Sequence, residues 1–217
     1  MRELVVATRN AGKIAELAEL LDGLGLRLVG LDAAGVAEDL PETGDTFAAN
    51  AVEKAEYVRD RTGRPALADD SGLCVAALGG GPGVYSARYG GPGLTDQQRV
   101  ERLLAALAGV PPAARAASFV CVLALARPGR PTLTVEGRVD GVIAAAPAGS
   151  GGFGYDPVFF LPELGLTMAQ VAPEVKNRIS HRARAVRAMR ALIARLQAEE
   201  AAADAAPAPG GASGGAA

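Results

Sequence analysis

The chain has 217 residues, with 22 Lys and Arg against 24 Asp and Glu, for a formal net charge of −2. That balance argues against a general nucleic-acid binder, and the single histidine, His181, excludes a zinc site built on histidines. Hydrophobic residues make up 49% but aromatics only 4%, with no Trp, so a substantial core is available and must be built from Ala, Leu and Val.

The opening segment, MRELVVATRN, carries no long apolar core and no cleavage signature, and no run approaches the length of a membrane span. A cytoplasmic protein with no membrane partner is expected. Next, VVATRNAGKIAEL (5–17) sets an apolar strand against a helical repeat of Ile14, Leu17, Leu20, Leu21 and Leu24. Gly12-Lys13 falls where a phosphate-binding loop sits. The Walker pattern fails at both ends, because Ala7 stands at the first Gly position and Ile14 at the hydroxyl position. Backbone N–H groups and the positive end of a helix still favour an anion there. Read alone, the stretch fits either an anion-binding loop or a plain strand-to-helix turn with a surface lysine.

LRLVGL (26–31) reads as a second strand, and Thr46 as the N-cap of a helix near 47–61. PALA (65–68) reads as a short buried strand, ended by Asp69-Asp70-Ser71-Gly72. A helix is expected from Asp96 to Leu107. ASFVCVLALA (117–126) has the continuous apolar character of a strand buried on both faces, and TLTVEGRVDGVI follows a turn as its antiparallel partner. Cys74 and Cys121 lie among apolar residues and read as reduced core thiols. The last helix is expected to start at Ser180. Strands, helices and a hairpin together imply an α/β fold with a long mixed sheet flanked by helices. Residues 1–198 are assigned to one domain, and the Ala/Gly/Pro-rich stretch 199–217 is expected to be a disordered tail.

Asp69-Asp70-Ser71 suits magnesium, since adjacent carboxylates repel and Mg²⁺ takes hard oxygen donors while keeping waters and contacting phosphates. One carboxylate would then take a proton from water. The same residues also make an ordinary solvated turn. Glu42, in a second acidic loop, is a candidate third carboxylate. Lys13, Lys54, Lys176 and Arg182 are separated cations of the kind a triphosphate requires. GGFGYDPVFF (151–160) offers Phe153 and Tyr155 for stacking on a base, or equally a hairpin packed by its own aromatics.

Five motifs in order, TRNAGK (8–13), ETGDTFAANAVEKA (42–55), ADDSGLCVAALGGGPGVYSARY (68–89), GGFGYDPVFF (151–160) and SHRARA (180–185), strongly resemble the inosine/xanthosine triphosphate pyrophosphatase family, the Ham1/RdgB type. The resemblance covers residue 5 to about 197. It implies a Mg²⁺-dependent hydrolase that cleaves ITP, dITP or XTP between the α and β phosphates, a two-lobed fold with a cleft between the lobes, and a homodimer. By matching position, Thr8, Arg9, Asn10, Ala11, Gly12 and Lys13 would hold the triphosphate. Glu42 and Asp70 would hold the metal. Asp70 would be the general base, with Asp69 as rival or metal partner, and Ser71 and Lys54 would contact phosphate or order the site. Phe153, Gly154, Tyr155, Asp156, Lys176, His181 and Arg182 would line the base pocket. A donor such as Arg182 would favour a 6-oxo group over the amino group of adenine; guanine shares the 6-oxo group, so its rejection needs the 2-amino edge. Two other readings are a Maf-type pyrophosphatase acting on dTTP or UTP, and a non-catalytic nucleotide binder.

Overall fold

Where the N-terminal apolar run gives way to the helical repeat, strand β1 (Glu3–Val6) passes into helix α1 (Ala11–Leu21), and Asn10 caps the helix by accepting the Lys13 N–H. The computed structural model describes residues 1–205. Strand β2 (Arg27–Gly30) and helix α2 (Phe47–Thr62) follow, the latter capped by Thr46 as its sequence implies. Strand β3 (Ala66–Val75), helix α3 (Asp96–Ala106) and the long hairpin of β4 (Ala116–Ala126) and β5 (Leu133–Ile143) form the middle of the chain. Short strands β6 (Phe159–Leu161) and β7 (Leu166–Thr167) precede helices α4 (Pro173–Ile179) and α5 (His181–Ala205).

The strands make one seven-stranded sheet in the order β2-β1-β3-β4-β5-β6-β7. β1 runs parallel to β2 and β3, and all later neighbours are antiparallel. The mixed sheet flanked by helices is therefore the architecture that the sequence implies. Alternation along β3 and β4 sorts their side chains by face. Ala66, Ala68, Val122 and Ala124 meet α2 through Ala51, Ala55 and Val58. Leu67, Cys121, Leu123 and Leu125 meet α1 and α5 on the opposite face. Farther along that face, Leu73, Val75 and Phe119 pack with Val100, Leu103 and Leu107 of α3 and with Tyr155 and Phe159. Two apolar clusters thus lie end to end on one side of the sheet, and the cleft opens between them.

Three departures from the sequence reading matter. β3 does not end at residue 68; it continues through Asp69-Asp70-Ser71-Gly72 to Val75. Turn-forming residue types are overridden here by a full antiparallel ladder, with Asp69 opposite Leu123 and Asp70 opposite Val122. α4 was not anticipated, although Pro173 at its first position is a known helix opener. Ser180 caps α5 by accepting the Ala183 N–H, and the helix passes residue 198 to reach Ala205. The rest of the expected tail, 206–217, lies outside the described residues.

Gly137 fixes how closely α5 approaches. A Cβ on this β5 residue would stand 2.1 Å from the His181 carbonyl oxygen and 2.4 Å from the Ala185 nitrogen, both backbone atoms that cannot swing aside. Replacement of Gly137 by Ala should lift the first turn of α5 off the sheet and destabilise the fold by about 1–3 kcal/mol. A urea midpoint unchanged from the parent protein would contradict this seating of α5.

Candidate active site

Consecutive residues of an extended strand project to opposite faces. Asp69 accordingly faces α1 and α5, while Asp70 faces α2. The two carboxylates do not share one cation, as their adjacency in sequence suggested; each has its own set. Asp69 is fully buried and accepts from Arg182 Nε at 2.9 Å, from Ser71 Oγ at 3.0 Å and from the Cys121 thiol at 3.0 Å. Lys13, from the first turn of α1, pairs with Oδ1, the oxygen that also accepts from Ser71. Burial by itself would raise this carboxyl, but Arg182 and Lys13 outweigh it and hold Asp69 well below the usual carboxylate range.

On the other face Lys54 Nζ lies 2.9 Å from Asp70 Oδ1, 2.9 Å from the Asp69 carbonyl oxygen and 2.6 Å from Glu42 Oε1. Asn50, one helical turn before Lys54, donates to Asp70 Oδ2 at 3.3 Å, and Arg88 Nη1 donates to Glu42 Oε2 at 2.9 Å. Burial raises the Asp70 carboxyl, and Lys54 only partly offsets it. For Glu42, Lys54 and Arg88 overcome the cost of burial and lower its value. Asp70 is thus the carboxylate with the greater appetite for a proton, and Asp69 is a fixed anion.

A cavity of about 300 Å³ fills the cleft. It is lined by Asn10 and Lys13 of the α1 start, Ser71, Leu73 and Phe119 of the sheet, the 153–156 loop and Asp96 and Arg99 of α3. The Phe153 ring packs against α1, where a Cβ on Gly12 would stand 2.9 Å from it. The Phe153 ring lies over two cations, with Lys176 Nζ 5.0 Å and Arg182 Cζ 5.6 Å from its centre. Asp156 is buried and accepts both the Lys176 ammonium at 2.7 Å and the Phe153 N–H at 3.0 Å, so it braces the loop from within. His181 stacks on Phe119 with ring centres 4.8 Å apart, and among the described residues its buried Nδ1 has no hydrogen-bond partner. Burial, reinforced by the adjacent Arg182, holds this imidazole well below its ordinary value, so the ring is neutral.

The structure gathers Asn10, Lys13, Ser71, Phe153, Gly154, Tyr155, Asp156, Lys176, His181 and Arg182 around one cavity. Lys54, Glu42 and Asp70 stand together on the opposite face of β3. Ala11 and Gly12 belong to the first turn of α1, and Thr8 Oγ1 accepts the Asn10 N–H at 3.2 Å. Arg9 is not brought to the cavity: its guanidinium bonds the Val36 and Glu38 carbonyl oxygens at 2.7 and 2.9 Å. Arg182, read from sequence as a donor to the base, already donates through Nε, Nη1 and Nη2 to Asp69, Glu16 and Ser71. Glu16 was missed. It sits three residues after Lys13 on α1, a spacing that shares a helix face, and it also binds Lys176 at 2.9 Å. Asn50, Arg88 and Arg99 were missed as well.

The family model described as the Ham1 family matches residues 4–192. The chain is 56% identical over 186 residues to a dITP/XTP pyrophosphatase of Geobacillus kaustophilus, covering 86% of this chain and 91% of that protein. It is 45% identical over 193 residues to a dITP/XTP pyrophosphatase of Bacillus subtilis, covering 89% of this chain and 98% of that one. Among solved structures, a HAM1 protein from Coxiella burnetii superposes with a TM-score of 0.83 at 42% identity, covering 90% of this chain and 100% of the other. The motif order, the cleft between two clusters and these likenesses agree, and the chain belongs to the Ham1 family.

Proposed function

We infer that this protein hydrolyses ITP, dITP and XTP to the monophosphate and pyrophosphate, a reaction that removes such nucleotides from the pool. One observation carries the reading: along one strand, β3, Asp70 gathers Glu42 and Lys54 on one face, while on the other Lys13 and Ser71 line a cavity that also holds Phe153 and Tyr155. The relatives' activity on dITP and XTP supports it.

The donor set fits a magnesium ion. Glu42 and Asp70 are hard oxygen ligands from separate elements, and the Lys54 ammonium between them marks a point where positive charge is already accommodated. Among the described residues no group of three acidic, His or Cys side chains is assembled for a metal. Magnesium tolerates this, because waters and substrate phosphates complete its shell. When bound, it would neutralise charge on the phosphates and polarise the α-phosphoryl group. Asp70 takes the proton of the attacking water as the water oxygen bonds the α-phosphorus and the bridge to the β-phosphate breaks. Lys13, Asn10 and Ser71 orient phosphate oxygens within the cavity they line. Phe153 covers the base, with Lys176 and Asp156 fixing the loop that carries it. The family setting also supports a homodimer working in the cytoplasm, and among the described residues no helix is long and apolar enough to cross a membrane.

Pyrophosphate release from ITP, XTP, dITP, GTP, ATP and dTTP, with and without Mg²⁺, tests the reading directly. Turnover confined to dTTP, or none on any triphosphate, would overturn it. Asp70→Asn should lower kcat by about 10²–10⁴ with the fold retained. Asp69→Asn should instead destabilise the protein by about 3–5 kcal/mol, because Arg182 and Lys13 lose a buried partner. Equal kcat losses with equal stability in the two variants would refute the division of labour. Neutral His181 carries a pH signature. As pH falls the unfolded chain protonates first, so the stability from neutral His181 is complete above about pH 6.5 and drains below it, at about 1 kcal/mol per pH unit. The slope of the urea midpoint between pH 5 and 7 should flatten in His181→Asn, and an identical slope would show that the ring is charged in the fold.

A further inference from the structure

Around the aromatic side chains of the cavity nearly every polar group is already engaged. Lys176 binds Asp156 and Glu16, Arg182 has its three partners, and the Tyr155 hydroxyl donates to the Ser86 carbonyl oxygen at 2.8 Å. His181 and Arg99 both line the cavity, and among the described residues one buried nitrogen of each, His181 Nδ1 and Arg99 Nε, lacks a partner. They come from different elements, α5 and α3. Arg99 is held in place by a single ion pair, Nη1 to Asp96 Oδ1 at 3.1 Å, and the other Asp96 oxygen accepts the Gly154 N–H at 2.8 Å. The guanidinium is therefore anchored to the same acid that anchors the aromatic loop, with its Nε unsatisfied among the described residues. A buried donor without an acceptor is unfavourable, and an acceptor brought by a ligand relieves it.

Arginine is an obligate donor at every relevant pH. Hypoxanthine and xanthine share the 6-oxo group and differ at position 2, where xanthine has an oxo acceptor, hypoxanthine a C–H and guanine an amino donor. We propose that Arg99 reads position 2 of the purine, donating to the oxo group of xanthine and setting donor against donor with guanine. The inference rests on the triphosphate-hydrolysis reading above and supplies what that reading lacks, a reason for refusing GTP. A hypoxanthine ring passes because its C–H asks nothing of the guanidinium. Sites that hydrogen-bond a substrate group discriminate strongly against a group of the wrong polarity.

The test is steady-state kcat/KM of the full chain with Mg²⁺ on XTP, ITP and GTP, for the parent and for Arg99→Met and Arg99→Lys, with thermal melts alongside. Arg99→Met should lower the XTP:ITP ratio about ten- to a hundredfold, the worth of a hydrogen bond to a charged group, and raise the GTP:ITP ratio. Arg99→Lys keeps a charged donor and should hold the XTP:ITP ratio to within about threefold of the parent's. If Arg99→Met does not fold, Arg99→Gln carries the test, since its amide retains a bond to Asp96 and should still raise the GTP:ITP ratio. A common loss on all three substrates would assign Arg99 to bracing the Asp96–Gly154 contact alone and overturn the proposal, as would unchanged ratios. A parent protein silent on all three would sink the underlying reading and this inference with it, a result distinct from unchanged ratios among active variants.

Discussion

Two carboxylates on consecutive residues of one buried strand set the terms for everything around them. An extended backbone sends Asp69 and Asp70 to opposite faces of the sheet, and both residues are buried. An isolated buried charge is very costly, so each must be matched by cations delivered from distant elements. Lys13 and Arg182 answer Asp69, while Lys54 answers Asp70. The unequal matching separates the two acids chemically. One is pinned as an anion, and the other is left receptive to a proton.

The same ion pairs tie the helices to the sheet. Glu16 on α1 receives Lys176 from α4 and Arg182 from α5, so three helices meet at one carboxylate beside the cavity. Arg182 is fully buried and reaches from α5 to β3 through Asp69 and Ser71. These contacts fall between the apolar clusters rather than inside either one. They set the width of the cleft, while the clusters set the stability of its walls. Gly72 adds a matching detail on the α2 side: a Cβ there would meet the Gly83 carbonyl oxygen at 2.4 Å, so the segment leading to Arg88 can lie against the strand only because the side chain is absent.

Much of this fold is legible in the chain because burial imposes a period. The apolar run of β4, the repeat of α1 and the Thr46 cap of α2 each carry a local signal, and each element stands where that signal puts it. β6, β7 and α4 span seven residues or fewer, too short for a period to emerge. The strand running through Asp69-Asp70-Ser71-Gly72 was illegible for a different reason. Those residue types favour turns when solvated, and only the cations waiting on both faces make an extended conformation tolerable. The gathered lysines and the aromatic loop were visible as residue types with plausible chemistry. The direction of a side chain was not. Arg9 neighbours the phosphate loop in sequence yet turns to the 36–38 carbonyls, and Glu16 looked like any other helical glutamate. Arg99 has no motif around it; only the unpaired nitrogen in the folded cavity distinguishes it.

Lys13, Lys54, Lys176 and Arg182 each arrive already neutralised by an internal acid. The cleft is thus not a reservoir of surplus positive potential that would draw in any polyphosphate. A bare nucleotide with its full negative charge would have to prise these couples apart, whereas one that carries its own divalent counterion enters with much of that repulsion cancelled. On the proposed function, such a cleft would offer free phosphate little net attraction and would favour a nucleotide that carries its own divalent counterion.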